Sequence, residues 1–351
     1  MNGKRFLLRF LACSAALLLL LAGICAAVDP FLRYRVRDDK YFLSTRFITP
    51  GLIRNYDYDA AIIGSSFTQN FNMDSFRQKL GVKPLKVTLG GMTPTEIIEM
   101  HTLVKQAGKA KTVYLCLPDF LSGDSGISNY PPYLVTDSRT EEYRYLLGYE
   151  AWMRYIPTDA GLALLDLMGI ELLEKFRQVR SIDYLDYWAD DNPLVPGALK
   201  TYYTRPALPP YDADEAARLT AAVCARIDAF LAAMDLDDSI QYVLFFTPYS
   251  ALHYCNMSEN ELEAYLCGKA YLVNALAMCD TVTVYDFQCM DAVADLDNYC
   301  DQNHFGKHVN EMLVDHFSDG GYRVSADSIG ASNQRLLALV AQFRRDNADW
   351  L

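Results

Sequence analysis

The chain has 351 residues, of which 51% are hydrophobic and 22% charged, with a formal net charge of −12. Lys4, Arg5 and Arg9 contribute +3 of that total, so the chain beyond the first apolar run carries −15. A surface this acidic repels nucleic acid and anionic lipid, and no basic aromatic patch argues otherwise, so partners are expected among neutral or cationic molecules or glycans.

The first element in chain order is the apolar run Phe10 to Val28. It is close to the ~20 residues needed to cross a bilayer. Basic residues before the span predict an N-terminus retained in the cytoplasm and an exported remainder. Cleavage near Cys25-Ala26-Ala27 is the rival reading; length favours an uncleaved signal-anchor over residues 1–28. Lipidation of Cys25 is disfavoured because Ile24 occupies the place of a small residue. The remaining 323 residues suffice for one large domain, or a domain with a substantial insertion. A juxtamembrane segment, 29–55, leads into it.

Apolar strand-like runs follow at Ala60–Ile63, Lys86–Leu89, Thr112–Leu117, Gln241–Thr247 and Thr281–Phe287. Between them lie helical stretches at Pro94–Ala107 and Glu215–Ala233. This alternation predicts an α/β fold, a doubly wound parallel sheet with helices on both faces, over residues 56–330. Residues 120–235 exceed what an ordinary crossover needs and are expected as a helical insertion. It contains a leucine-rich helix over Ala160–Val179 and many aromatics, including Tyr130, Tyr133, Tyr143, Tyr145, Trp152, Tyr155, Tyr184, Tyr187, Trp188, Tyr202 and Tyr203. Such side chains suit sugar stacking and equally a small helical core with its rim; the core reading is preferred. Residues 331–351 read as an amphipathic C-terminal helix through Leu336, Leu337, Leu339, Val340 and Phe343.

Two short strings carry chemistry. Gly64-Ser65-Ser66 ends the first strand, where a strand-to-helix turn exposes a hydroxyl and backbone N–H donors. The bland reading of Ser66 is a helix N-cap. Asp301-Gln302-Asn303-His304 follows the last strand. A carboxylate three residues before an imidazole can accept from Nδ1–H and leave Nε2 as a base. The order Ser, Asp, His suits a nucleophile on the first strand and a base after the last.

With Leu89-Gly90-Gly91-Met92-Thr93 as a glycine block between them, these strings make the chain resemble the SGNH (GDSL-type) hydrolases, in particular the membrane-anchored branch related to polysaccharide O-acylation proteins. The resemblance implies a flavodoxin-like three-layer fold. It makes Ser66 the nucleophile, His304 the general base, Asp301 its orienter, and the N–H groups of Ser66 and of Gly90 or Gly91 the oxyanion donors. It also implies an acyl esterase or acyltransferase acting on an acylated polysaccharide or small ester outside the cytoplasm, beside a membrane acyltransferase, with no cofactor. The family's third-block asparagine is absent. The equivalent strand ends Cys116-Leu117-Pro118-Asp119, and an ionised Asp119 would repel an oxyanion. Asp119 is therefore expected as a structural acceptor or a binder of substrate hydroxyls, with Asn129 and Asn192 as distant substitutes. The alternative from another class is a catalytically silent glycan-binding or envelope-assembly protein.

Other constellations are weaker. His304 and His308 share a helical spacing suited to zinc, but Phe305 stands where a general-base Glu is expected, so no metal site is assigned. His101 and His253 are isolated, and expected at the surface or partly buried. No glycine loop has Walker or dinucleotide spacing. Cysteines 116, 224, 255, 267, 279, 289 and 300 lie beyond the span, an odd number that leaves at least one unpaired; pairs among the last five are permitted but not demanded. Cys300 is an alternative nucleophile, less well placed than the acid–base pair.

Overall fold

The computed structural model describes residues 3–36, 44–124, 126–136, 138–169, 182–184, 187–188, 194–195 and 197–351. In chain order the principal elements are α1 (Gly3–Val28), α2 (Thr45–Asn55), β1 (Ala60–Gly64), α3 (Ser66–Gln69), β2 (Pro84–Thr88), α4 (Pro94–Ala107), β3 (Thr112–Cys116), α5 (Arg139–Leu147), α6 (Ile156–Leu167), α7 (Ala213–Met234), β4 (Gln241–Phe246), α8 (Ala251–Cys255), α9 (Glu259–Ala275), β5 (Val282–Asp286), α10 (Lys307–Asp319), β6 (Arg323–Val324) and α11 (Ile329–Asp346). They fall into two compact units, residues 1–56 with 129–185 and residues 57–128 with 186–351.

The juxtamembrane segment 29–55 groups with residues 129–185 of the insertion, and the rest of the insertion groups with the sheet. In that first unit, Asp29 ends α1 at a φ of 46°. Its buried carboxylate accepts from the Tyr145 hydroxyl at 2.6 Å and from the backbone N–H groups of Arg33, Tyr34 and Arg35. Cys25, Phe31, Leu134, Tyr145 and Tyr155 form the small core, with Phe47 packed against it. Of the insertion's early aromatics, Tyr145 and Tyr155 lie in this core and Tyr133 and Trp152 pack against it, as preferred, whereas Tyr143 and Tyr149 are exposed. The expected helix over 160–179 begins earlier, at Ile156, and is described as far as Leu167; residues 170–181 lie outside the described residues.

The second unit holds the sheet. Its order is β2-β1-β3-β4-β5-β6, parallel except for β6, which pairs antiparallel with β5 through Val284↔Val324 and Tyr285↔Arg323. The five strands read from the sequence are all present. The sixth was missed because two residues carry no legible alternation. Strands β1, β2 and β3 are buried almost throughout, as strands covered on both faces must be. On one face Tyr242 of β4 meets His101 of α4, and α4 packs against α7, which packs against α9. On the other, Phe317 of α10 packs on Tyr114, Phe245 and Tyr285. Helix α4 starts where Pro94 and a capping box between Thr93 and Glu96 start it, and ends at Gly108 with a φ of 64°. The C-terminal helix is Ile329–Asp346, two residues earlier at its start than expected.

His101 is fully buried rather than near the surface. Burial, and after it the Lys105 charge, push its pKa down to about 4. The unfolded chain, with an ordinary histidine near ~6.5, therefore binds more protons between pH 6.5 and 4, and stability falls as pH is lowered through that window. The expected loss from this group at pH 4.5 is roughly 2–3 kcal/mol. Denaturant unfolding of the full chain at pH 7 and pH 4.5, with His101→Met alongside, checks it: the variant should lose that part of the pH slope, and equal slopes would rule the account out.

Candidate active site

The nucleophile's turn is built by close packing. A Cβ on Gly64 would lie 2.6 Å from Cys116 Cβ and 2.7 Å from Thr68 Cγ2, so only glycine lets β1 end beside β3 with α3 folded directly over it. Ser66 opens α3, a single turn whose carbonyls are all taken. Trp188 Nε1 donates to Ser66 O, Asn310 Nδ2 to Phe67 O, the Asn70 N–H to Thr68 O, and the buried Lys86 ammonium to Gln69 O. With its carbonyl end held by three side chains, this short helix has the rigidity that so few backbone bonds cannot give it. The strand order reverses between β1 and β3, so Ser66 stands at the topological switch point, where open α/β sheets place ligands.

The base comes from a pinched loop. Tyr299 and Phe305 form an isolated antiparallel bridge with both rings buried, and the Cys300 N–H donates to His304 O at 2.8 Å. The Tyr299 hydroxyl donates to Pro248 O, so the loop is pinned to the end of β4. From α8's side, Ser250 donates to Gln302 O through both its N–H and its hydroxyl, and Asn256 Nδ2 donates to Gln302 Oε1 at 2.6 Å. Beneath the loop, the buried pair Lys269–Asp286, at 2.8 Å, ties α9 to the end of β5, and Ser332 of α11 donates to the same carboxylate.

These two constructions bring together three residues read from the sequence. Ser66 Oγ lies 2.7 Å from His304 Nε2, and His304 Nδ1 lies 2.7 Å from Asp301 Oδ2. Asp301 Oδ1 accepts from the backbone N–H groups of Asn303 and His304. Burial pushes the Asp301 carboxyl up, but the imidazole and those two N–H groups outweigh it and leave it below its ordinary value. It is therefore an anion at neutral pH, suited to hold Nδ1–H and leave Nε2 as the acceptor of the serine proton. Phe67 stacks on the imidazole at 5.0 Å and 24°, and the Trp188 ring meets it edge-on at 5.6 Å. His304 keeps 31% of its side-chain surface exposed, so the pair opens to solvent.

The glycine block lies beside the serine. Gly64 pairs with Thr88, so Ser66 and Gly90 each stand two residues beyond paired positions on adjacent strands. Gly90 and Gly91 are exposed, and Gly91 takes a φ of 68° in the turn closed by the Met92 N–H on Leu89 O. The Asp119 carboxylate accepts from the Leu121 N–H and the Ser122 hydroxyl, each at 2.9 Å, the structural-acceptor role expected of it. Asn129 belongs to the first unit, and Asn192 lies outside the described residues.

The weaker constellations do not assemble. His308 Nε2 contacts Asn298 Oδ1 at 2.8 Å while both His304 nitrogens are engaged elsewhere, so the two imidazoles do not converge. Burial, then the Asp301 charge, push the Cys300 thiol up, which opposes a nucleophilic thiolate. Among the described residues no disulfide joins any of the cysteines. His253 is half-buried, its ring 4.5 Å from that of Tyr249 and tilted by 39°.

No protein-family model, curated protein or solved structure matches this chain. What the site does must therefore be argued from its own geometry.

Trp188 was legible only as one aromatic among many, because its role depends on a contact 122 residues away. Its backbone N–H also donates to Asn70 Oδ1. Trp188→Ala should lower kcat/KM for any reaction of Ser66 by roughly 10- to 100-fold, through misplacement of the helix and the base. Trp188→Phe, which keeps the ring against His304 but loses Nε1–H, should fall between. Steady-state kinetics on both variants checks this; an unchanged Trp188→Ala would show that the indole positions nothing.

Proposed function

We propose that the chain is a serine-dependent acyl esterase or O-acyltransferase of the SGNH type, held to a membrane by α1. The supporting observation is the relay of 2.7 Å contacts from Ser66 through His304 to Asp301, assembled from opposite ends of the sequence at the switch point of the sheet. His304 Nε2 takes the Ser66 proton as Oγ attacks an acyl carbonyl, and Asp301 stabilises the imidazolium that forms. The N–H groups of Ser66 and of Gly90 or Gly91 receive the oxyanion. Collapse expels an alcohol, which takes its proton from His304, and leaves acyl-Ser66. Water then yields an acid; a sugar hydroxyl yields a new ester.

The substrate class proposed is an acylated glycan or small ester. The basic residues that precede the span support a body outside the cytoplasm. There a membrane acyltransferase is a fitting neighbour. The glycan-binding alternative draws on one observation: where an asparagine would complete the oxyanion hole after β3, the chain has Asp119, whose carboxylate accepts from Leu121 N–H and the Ser122 hydroxyl.

The two readings separate in one experiment on the full chain in detergent with p-nitrophenyl acetate and a methyl glycoside. The enzyme reading expects nitrophenolate release and a mass gain of one acetyl group on Ser66; acetylated glycoside would mark a transferase. Folded protein that gives neither release nor acyl-serine, yet retains glycan, would overturn the enzyme reading.

A further inference from the structure

The apolar run of helix α1 needs its whole length to cross a bilayer. Its charge-free run from Phe10 to Val28 covers roughly 28 Å at about 1.5 Å per residue, which is the thickness of the hydrocarbon layer. Yet the first unit already packs on this run: Cys25 is fully buried and its thiol faces Tyr145 O of α5, whereas Phe10 and Leu17 to Leu20 are exposed. Helix α5 therefore meets α1 at a depth where α1 is still apolar, and its outer side must lie at the lipid boundary.

The side chains there are of the right kind. Tyr143 and Leu147 are four apart on α5 and exposed, and Leu164, Leu167 and Met168 are exposed at the end of α6; both sets keep the i, i+3 or i+4 spacing that puts side chains on one helix face. Tyr149 and Met153, at the start of and within the π-helical segment Glu150–Tyr155 between them, are exposed too. Tyr143, Leu147 and Tyr149 also line an open groove with Pro131, Tyr133 and Arg144. In water such a run of exposed apolar groups is costly, whereas tyrosines with an apolar neighbour suit the bilayer's interfacial zone.

We infer that the face formed by residues 143–153 and 164–168 lies in the interface of the bilayer that α1 spans, so that the first unit is a membrane-seated collar rather than a free domain. This rests on the proposed span of α1. The occupant is zwitterionic lipid: beyond the span, residues 29–56 and 129–185 of the first unit carry twelve acidic and twelve basic side chains, so no net charge selects an anionic surface.

The test is photolabelling of the full chain in phosphatidylcholine nanodiscs containing a phospholipid with a diazirine high on its acyl chain, mapped by peptide mass spectrometry. Exposed Met278 of the second unit, at 91% exposure, serves as the reference for labelling from solution. The expected result is adducts on α1 and on peptides covering 143–168, the latter at least tenfold above the Met278 peptide and reduced severalfold by the triple variant Leu164→Asp, Leu167→Asp, Met168→Asp. Adducts on α1 with 143–168 at the reference level would overturn the collar and leave the span standing. Labelling of neither would remove both. Chain-to-chain cross-links through 143–168 without lipid adducts would make the face a self-association surface and likewise overturn the inference.

Discussion

Ser66→Ala is expected to reduce ester turnover by roughly 10³- to 10⁶-fold while leaving the fold intact. The hydroxyl's partner is His304, at 2.7 Å, and the carbonyls of α3 remain bonded to Trp188, Asn310 and Lys86 without it. Nothing that holds the turn is removed; only the bond-forming oxygen is. Residual rate above the uncatalysed reaction would come from the N–H groups near Ser66 and Gly90 and from substrate binding. The measurement is kcat for p-nitrophenyl acetate with the full chain in detergent, with thermal unfolding alongside. A variant of unchanged stability that keeps more than a tenth of wild-type turnover would show that another group carries the reaction.

Asp301→Asn should cost roughly 10²- to 10⁴-fold in kcat, with little change in KM. The substitution preserves a carbonyl oxygen for the N–H groups of Asn303 and His304, so the loop keeps its shape. It places an amide donor or a neutral oxygen opposite Nδ1 in place of an anion. With the amide donor, Nδ1 must be the acceptor, the ring proton moves to Nε2, and Nε2 can no longer accept from Ser66. In the native chain the carboxyl sits below its ordinary value, so the support it gives is present above the unfolded value near ~4 and is lost only as pH falls through the folded one. The wild type should therefore show no loss of activity attributable to Asp301 between pH 7 and 5. A pH profile of kcat for both proteins reads this; equal kcat values would mean that the carboxylate orients nothing.

The legible parts of this molecule are those whose signal is local. The apolar runs at Ala60–Ile63 and Thr112–Leu117 are buried on both faces and so read plainly as strands, and Pro94–Ala107 carries its own start and stop in a capping box and Gly108. Asp301 and His304 are three apart, and their pairing is a short-range property of one loop. Three features escaped because they are decided at a distance. Strand β6 exists only by pairing with β5. Trp188 acts through a carbonyl on α3. The first unit joins residues near 30 to residues near 145, through contacts such as Tyr145 on Asp29. The structural role expected of Asp119 is local as well: two donors within three residues, at Leu121 and Ser122, satisfy its carboxylate.

The central claim is that His304 activates Ser66. Its most direct test is intact-protein and peptide mass spectrometry of the full chain after exposure to a fluorophosphonate, with Ser66→Ala and His304→Ala treated in parallel. The account predicts a single adduct on Ser66 in the wild type and none in either variant. A folded wild-type chain that stays unmodified, or that is labelled at another residue, would contradict it.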